Sequence, residues 1–574
     1  MSCKNDDFLD CKHREFRDKS FRLRALLGKL EQQTNSCVKS LITNEEEEKY
    51  KNYNYNGSFH KSLQHNLEDG RLVSSHNYKK MVKSIVKNDQ KKLASVKLAI
   101  DSEIKLQNPL ASNATILIGA PQCELRINDP WPLSSNENAA EMLEVYSQAI
   151  ARDVPFYTYD FDPTIKKLLG RTYLNDPKLL KYLYNRPCGK FTPQTIFRGD
   201  TFGELIGPYV SQLLLLDIPM GSLKVKQIYS VPPDRKIAKD NDIRVEWGVD
   251  LNETIAIQNG NLNLLPPNTP NDDMILRYIF SGRSLAQVTH DDTVYQLFYQ
   301  ATLILLNLGV KPNPGFPEYP NQTSFITNSG SAAVLCAIAD VSTYALKHAW
   351  YWKWQHYRKL RPEVNALWVN DVKNGLVENK NNFDLKKLLL NSPILSEILN
   401  INNFWIPQSN SYTLPLDFRE GSSVHSSYPS RRGVVSGACG TILKIYFDSE
   451  KSWKSLPGII SGELSNIPNA ILQANSKGTR LKKYTKCDQS DITITSEINK
   501  LCSNTITGRD WGGLGYRSDC FQGIWLGEKI AIRYMEDLLS TMVENNLNGD
   551  VPKITFRKFD GFFYTIKPTI CIKK

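Results

Sequence analysis

The stretch SSVHSSYPSRRGVVSGACGTILKIYF, residues 422–447, decides the fold expected for this chain. It runs from a polar loop into an apolar helix, and Ser430 lies at the junction. Gly433, Gly437 and Gly440 follow at helical spacing, so one face of the helix lacks side chains and another backbone can approach it closely. The first-turn amides of such a helix have no internal acceptors and can bind an oxyanion.

Two other segments bring cations to helix boundaries. The segment KWQHYRKLRPE (353–363) carries Lys353 and Arg361, and the segment GRDWGGLGYRSD (508–519) carries Arg509. Lys353 and Arg361 lie about two helical turns apart, so both can reach one pocket. We therefore expect the three segments to meet around a single oxyanion site.

In these segments the chain resembles the vanadium-dependent haloperoxidases, most closely the bromoperoxidases of the algal and cyanobacterial type, and the resemblance extends over most of its length. The family pattern is a Lys, an Arg-Pro eight positions later, a Pro-Ser-Gly-His segment, and an Arg with a His six positions later. The following residues match it: Lys353, Arg361-Pro362, Pro429-Ser430 and Arg509. Two histidines are missing, because Arg431-Arg432 stands where the family has Gly-His and Gly515 stands at the last His.

The resemblance implies a mainly α-helical fold, with haloperoxidase-like bundles in two halves around one anion pocket and only minor β-hairpins. Residues 1–115, rich in Lys and Asn, are expected to form an N-terminal helical region that packs on a haloperoxidase-like domain of residues 116–574. A prior of about 150 residues per domain would give roughly four domains. Because the motif segments are far apart and must converge, we expect one structural unit instead.

Hydrophobic periodicity and capping residues predict the main elements. Helices are expected at 13–33, at 78–100, from Ser134 to about 150, at 291–309 with Asp291 or Asp292 as cap, at 331–362 ending near Leu360, at 496–509 and at 518–539. Hairpins are expected at 222–247 and 556–568. The apolar run 208–221 is expected to be a buried helix or a subunit contact, and the Asn-rich connection 365–410 is expected to hold one weak helix.

The resemblance also implies the donors of the pocket. Tetrahedral oxyanions need fixed donors, and guanidinium groups with helix-start amides suit that task. By resemblance the donors are the side chains of Lys353, Arg361, Ser430 and Arg509 and the backbone amide of Arg431. The implied cofactor is vanadate, which we expect to be held by charge alone and not tightly, with phosphate or sulfate as other occupants.

Catalysis is expected to fail because both family histidines are replaced. In the family one His binds the metal through a ring nitrogen, and the other handles the protons of bound peroxide; here these positions are Gly515 and Arg432. Gly515 has no side chain, so no protein metal ligand is expected, and Arg432 stays protonated near neutrality and cannot act as a base. In the related acid phosphatases the same lost C-terminal His would be the nucleophile.

No His follows His425 in the chain, so no later imidazole can replace the missing ligand. His425 lies seven residues before Arg432 and is a candidate substitute acid–base group. The alternative interpretation is a loop His that is hydrogen-bonded to its neighbours.

Arg431 and Arg432 add two cations to a pocket that already holds three, and buried like charges repel unless they are neutralised. Two outcomes follow from the sequence. Either a bound anion neutralises the pocket, which we favour, or carboxylates close it, with Asp510, Asp519 and Glu363 as candidates.

Two functions are therefore compared. The favoured hypothesis is a haloperoxidase-like protein with an oxyanion pocket and little or no peroxidase turnover, kept as an anion-binding or self-assembling protein. The alternative is an active vanadium-dependent bromoperoxidase, oxidising halide with hydrogen peroxide at a rearranged site. The family often forms large homo-oligomers, and the apolar segments 208–221 and 297–309 are candidate contacts.

The composition excludes several other classes. The net charge of +11 is spread over 574 residues without a nucleic-acid motif, so no specific nucleic-acid binding is expected. No apolar run reaches the roughly 18 residues of a membrane span, and the first residues have no apolar signal region. The eleven cysteines lack a CxxC pair, which favours free thiols, and no disulfide pairing can be assigned from the sequence. These features predict a protein of the cytoplasm or of an assembled particle.

Overall fold

The structure is a computed structural model of the chain. It describes residues 44–568 apart from 117, 184–188, 271–273, 318–319, 325–328, 457–469 and 543–551, and it also describes 15, 18–23 and 26. The helix predicted at 13–33 therefore lies largely outside the described residues.

α-Helices make up most of the regular structure. In chain order they are α1 Glu45–Tyr50, α2 Ser75–Val86, α3 Gln90–Ala94, α4 Asn136–Ala151, α5 Pro163–Leu168, α6 Pro177–Leu180, α7 Arg235–Asp240, α8 Leu251–Asn259, α9 Gly282–Asp291, α10 Gln296–Asn307, α11 Ser331–Tyr351, α12 Pro362–Lys373, α13 Asn379–Asn382, α14 Lys387–Leu390, α15 Ile394–Trp405, α16 Arg431–Tyr446, α17 Ile494–Trp511 and α18 Arg517–Thr541.

The strands are short and form antiparallel pairs. β1 Ile218–Met220 pairs with β2 Leu223–Val225, β3 Tyr229–Val231 with β4 Ile275–Arg277, β5 Leu472–Ala474 with β6 Leu481–Lys483, and β7 Ile554–Arg557 with β8 Phe563–Ile566. The predicted mainly α fold with minor hairpins is confirmed. The terminal hairpin is present as β7–β8. The prediction of a hairpin within 222–247 is wrong, because β2 pairs with the preceding strand β1 and β3 pairs with β4, which is distant in sequence.

Helix α16 is the centre of the fold and begins at the predicted place. Ser430 is its N-cap, and the Ser430 hydroxyl accepts a hydrogen bond from the Gly433 amide at 3.2 Å. α16 packs against α11, α17 and α18. A Cβ on Gly437 would lie 2.2 Å from the Ile524 carbonyl oxygen of α18, and a Cβ on Gly527 would lie equally close to the α16 backbone. Glycines thus allow the two backbones to touch, as the sequence predicts.

The apolar run 208–221 is buried from Tyr209 to Leu216 but is not a helix, so the prediction of a buried helix is wrong, while the alternative of a subunit contact stays a prediction. It contains a single 3₁₀ turn, Gln212–Leu214, followed by β1. Its polar side chains explain the irregular course. The Ser211 hydroxyl donates to the Glu497 carbonyl oxygen at 2.8 Å, and the Gln212 amide side chain donates to the Leu472 carbonyl oxygen at 2.9 Å.

The predicted start of the helix at 291–309 is also wrong. α9 ends at Asp291 with Asp292 as its C-cap, and α10 begins at Gln296 with Tyr295 as its N-cap. Neither aspartate caps α10. The Asp292 carboxylate instead accepts a hydrogen bond from Arg432 of α16.

The long helix predicted at 331–362 is interrupted before Leu360. α11 ends at Tyr351 and continues as a π-helical turn, Trp352–Tyr357, which Arg358 closes in the left-handed conformation (φ 43°). Pro362 then starts α12 with Arg361 as its N-cap. The connection 365–410 holds most of α12 and all of α13–α15, which is more helix than its Asn-rich sequence predicts.

The N-terminal region packs on the turn that follows α11. Its helix predicted at 78–100 is divided into α2 and α3, because Asn88 adopts a positive φ of 52° between them. Apolar side chains of this region enclose Trp354, which is fully buried. The Arg358 Nε donates to the Glu47 carboxylate at 2.6 Å, and both side chains are fully buried. A separate domain ending at residue 115 stays a prediction.

Among the described helices, none is long and apolar enough to cross a membrane. The described cysteines are free thiols: Cys123, Cys336, Cys439, Cys487, Cys502 and Cys520.

Candidate functional site

The three motif segments meet at one small cavity beside the first turn of α16. Its lining includes every predicted site residue: Lys353, Arg361, His425, Ser430, Arg431, Arg432, Arg509 and Gly515. The cavity measures about 30 Å³ as the space open to the centre of a water molecule. That is room for roughly two waters, and therefore for a small ion.

Lys353 and Arg361 are fixed by backbone carbonyl groups. The Lys353 ammonium donates to the carbonyl oxygens of Ser426 and Ser427 at 2.7 and 2.8 Å. The Arg361 guanidinium donates to the Leu514 carbonyl oxygen at 2.8 Å and to the His425 carbonyl oxygen at 2.8 and 3.0 Å. These bonds hold the loop before α16 and the loop before α18 against the start of α12.

Arg432 is committed to an ion pair. Its side chain is 7% exposed, and it donates to both the carboxylate and the carbonyl oxygen of Asp292, the latter at 2.8 Å. Asp292 itself is 2% exposed at the side chain. The arginine at the family's proton-handling position is therefore neutralised by a residue that sequence analysis assigned as a helix cap.

Arg431 and Arg509 have no such partner. Among the residues that the structure describes, neither guanidinium has a carboxylate within 4.0 Å. Burial and the neighbouring Arg432 and Arg361 lower the pKa of Arg431 to about 10. Burial and the charges of Arg432 and Arg431 hold the pKa of Arg509 well below its usual range. Burial and Arg361 likewise lower the pKa of Lys353 well below its usual range. The cavity is an electropositive site in which the cations repel one another.

His425 lies in this cavity as a neutral imidazole. Burial, followed by the charge of Lys353, holds its pKa well below the usual range. Its Nδ1 lies 2.9 Å from an Arg361 nitrogen. Nδ1 also lies 2.9 Å from the Ser426 carbonyl oxygen, which can only accept, so the two contacts of Nδ1 call for opposite tautomers of the ring.

Gly515 is on the cavity wall, and its surroundings test the fit of a nitrogen-ligated cofactor. A Cβ at this position would lie 3.0 Å from the Asp510 carboxyl group and 4.0 Å from the Cys520 sulfur. Burial raises the pKa of both Asp510 and Cys520 well above their usual ranges. The residues present fit a tetrahedral oxyanion and supply no ring nitrogen at the family's ligand position. Within the described part of the chain, no cluster of three His, Cys, Asp or Glu side chains is arranged for a metal.

The three carboxyl groups that the sequence analysis gave as candidates to neutralise the arginines have other partners. Glu363 pairs with Lys61 at 3.2 Å, and Asp519 pairs with Lys359 at 3.1 Å. The Asp510 carboxyl oxygen accepts from the Cys520 thiol at 3.3 Å. The less favoured outcome, in which these three carboxylates pair with the pocket arginines, is not what the structure shows, because Arg432 is the only pocket arginine with a carboxylate partner in the described structure, and that partner is Asp292.

Sequence reasoning missed a histidine beside the pocket. His290 of α9 stacks on Phe418 with ring centroids 3.9 Å apart, and its Nε2 lies 3.2 Å from the Glu420 carboxylate. Its Nδ1 lies 3.4 Å from an Arg509 nitrogen. His290 and Asp292 come from a segment without any motif, so only the tertiary fold brings them to the site.

Relatives of known identity match the chain over most of its length. A vanadium-dependent bromoperoxidase of Ascophyllum nodosum is 31% identical over 516 residues, which cover 88% of this chain and 85% of that protein. A vanadium-dependent bromoperoxidase of Corallina pilulifera is 27% identical over 563 residues, 88% of this chain and 90% of that protein. No family model matches the chain.

A solved structure shares the fold. The homohexameric second vanadate-dependent bromoperoxidase of Ascophyllum nodosum superimposes with a TM-score of 0.80 at 25% identity, covering 96% of this chain and 90% of that one. Sequence and fold agree over nearly the whole molecule. The chain belongs to the vanadium-dependent haloperoxidase family.

Proposed function

We propose that this protein binds a tetrahedral oxyanion at the start of α16 and has little or no peroxidase turnover. The observation that carries the proposal is the pairing of Arg432 with Asp292 while Arg431 and Arg509 lack carboxylate partners in the described structure. Positive charge is thus left unbalanced at the cavity, although no imidazole occupies either family position. Burial and the neighbouring arginines lower the pKa of Arg431 and Arg509, and an anion would relieve the repulsion between these cations.

Each pocket group has a role in this proposal. Arg431 and Arg509 bind the anion by charge-assisted hydrogen bonds, and the first-turn amides of α16 add donors along the helix axis. The Ser430 hydroxyl accepts from the Gly433 amide, so its own proton is available to the anion. Lys353 and Arg361 supply charge from fixed positions. In the family, vanadate is the group that activates peroxide when it is bound.

The loss of turnover is tested by bromide oxidation with hydrogen peroxide after incubation with vanadate. We expect a rate near background, because Arg432 cannot accept a proton and Gly515 offers no ligand. The control is Arg509→Ala, which lacks one of the anion donors. A bromide oxidation rate that is the same in both proteins comes from free vanadate and not from the site. Strong bromination by the unmodified protein, lost in Arg509→Ala, would instead support an active bromoperoxidase with His425 as the first acid–base candidate.

Anion binding is tested by thermal unfolding in the presence of phosphate. A ligand that binds only the folded state raises Tm saturably with its concentration. We expect such a rise for the unmodified protein and its loss in Arg509→Ala. The matched control is Arg533→Ala, which removes an arginine whose side chain is 47% exposed and should keep the rise. The absence of any saturable rise in the unmodified protein would contradict the proposal.

We also propose that the protein forms a homo-oligomer. The homohexameric bromoperoxidase that shares its fold supports this proposal. Light scattering coupled to size-exclusion chromatography tests it, and a mass of 65.3 kDa, that of a single chain, would contradict it.

A further inference from the structure

A carboxylate shares the cavity with the cations. Asp519 belongs to the first turn of α18, is 1% exposed and lines the same cavity as Arg361, Arg431 and Arg509. Its carbonyl oxygen accepts a hydrogen bond from the Ser430 amide at 2.8 Å, which fixes α18 against the start of α16. An acidic group is unexpected in a site for anions, because it repels them.

The Asp519 carboxylate is held in place by two donors. Lys359 donates to Oδ1 at 3.1 Å, and the Ser427 hydroxyl donates to Oδ2. Each carboxylate oxygen can accept more than one hydrogen bond. The group therefore keeps acceptor capacity, and it has no proton of its own to donate when it is ionised.

We propose that Asp519 makes the site selective for tetrahedral oxyanions that carry a proton, such as hydrogen phosphate and hydrogen arsenate, over those that do not, such as sulfate. This inference rests on the proposed oxyanion site. A protonated oxyanion donates its hydroxyl to the Asp519 carboxylate while its other oxygens accept from the arginines. Sulfate has no proton to donate, so its oxygen would face the carboxylate without a hydrogen bond and be repelled.

The cavity is small, with about 30 Å³ open to the centre of a water molecule. An ion bound among the arginines would therefore lie close to Asp519, which lines the same space. A site built to pair a hydroxyl group rejects a ligand that lacks it, because buried polar groups are then left unpaired.

The experiment compares phosphate, arsenate, sulfate and selenate by calorimetry and thermal unfolding at neutral pH. We expect phosphate and arsenate to bind about tenfold or more tightly than sulfate and selenate, the factor for one hydrogen bond to a charged group. Equal or tighter binding of sulfate would overturn the selectivity and leave the oxyanion site intact. Binding of none of the four ions would instead overturn the proposed function.

The variant Asp519→Asn tests the residue itself. Its side-chain amide can donate to sulfate, so the preference for phosphate should fall towards unity. The control is Glu141→Gln, because Glu141 faces the same Lys359 at 4.0 Å without lining the cavity. An unchanged preference in Asp519→Asn would overturn the assignment. If that variant does not fold, the ion comparison on the unmodified protein still decides the selectivity.

Discussion

At the scale of single residues, the cavity keeps the cations of the family's oxyanion site but lacks the two histidines that the family uses for catalysis. Lys353, Arg361 and Arg509 match the family pattern and line one space, whereas Arg432 and Gly515 remove both imidazoles. The replacement at 432 is accommodated because Asp292 is there to receive the guanidinium. The two losses concern different steps, so we expect neither single reversion to restore turnover.

The first prediction is that reversion requires both histidines. The variant Arg431→Gly, Arg432→His, Gly515→His should oxidise bromide with vanadate and peroxide about tenfold or more above the unmodified protein, since acid–base groups contribute factors of that order or larger. The controls are the variants with only one histidine, which should stay at background. A triple variant that binds vanadate yet shows no turnover would contradict the prediction.

The second prediction concerns pH. Burial lowers the pKa of Lys353 below its usual 10.5, and an anion beside it raises that pKa again. The ammonium form is needed for binding, so phosphate affinity should fall as pH rises through the alkaline range, before the usual Lys pKa is reached. Calorimetry in buffers of different ionisation enthalpy should show proton uptake on binding there. Constant affinity without uptake would mean that the Ser426 and Ser427 carbonyls keep the ammonium charged.

At the scale of elements, glycine spacing predicted the close approach at α16 but not its partner. Periodicity places Gly433 and Gly437 on one face, and Gly523 and Gly527 of the helix predicted at 518–539 have the same four-residue spacing, but spacing alone does not show that the two pairs face each other. Predicted helix boundaries are wrong where a potential capping side chain has a stronger tertiary partner, as at Asp292. The break before Arg361 was predicted because Pro362 acts locally, whereas the helix that Pro362 starts was not predicted.

The third prediction tests the α16–α18 crossing. In Gly437→Ala the new methyl group meets the Ile524 carbonyl oxygen at 2.2 Å, a backbone atom that cannot move aside. We expect a loss of about 1–3 kcal/mol in the free energy of unfolding. The control is Gly512→Ala, whose nearest neighbours are side-chain atoms at 3.1 and 3.3 Å. Equal stability of Gly437→Ala and the unmodified protein in denaturant unfolding would contradict the tight crossing.

At the scale of the whole molecule, the N-terminal region and the pocket share one turn. Trp354 and Arg358 of the segment after α11 are buried against the N-terminal residues, and Lys353 of the same turn lies in the cavity. The sequence shows no sign of this link, because Glu47 and Arg358 of the ion pair are 311 positions apart. Stability of the N-terminal region should therefore affect the geometry of the site.

The fourth prediction addresses that link. Glu47→Gln leaves the Arg358 guanidinium buried without its counter-charge, and breaking a buried pair costs roughly 3–5 kcal/mol. The matched control is Glu48→Gln, whose side chain is 54% exposed and should change stability by about 0.5 kcal/mol or less. Denaturant unfolding measures both. A similar small effect for the two variants would show that the pair does not anchor the region.

The hydrogen bonds from Lys353 and Arg361 to backbone carbonyl oxygens affect which pocket residues can be substituted during evolution. Both cations join loops from distant parts of the chain, so selection for a folded protein retains them whatever the cavity holds. Arg431 and Arg509 make no comparable bonds in the described structure. In a descendant protein that no longer binds an anion, we expect Arg431 and Arg509 to be substituted before Lys353 and Arg361. Substitutions at Arg431 and Arg509 would then mark the loss of the ligand.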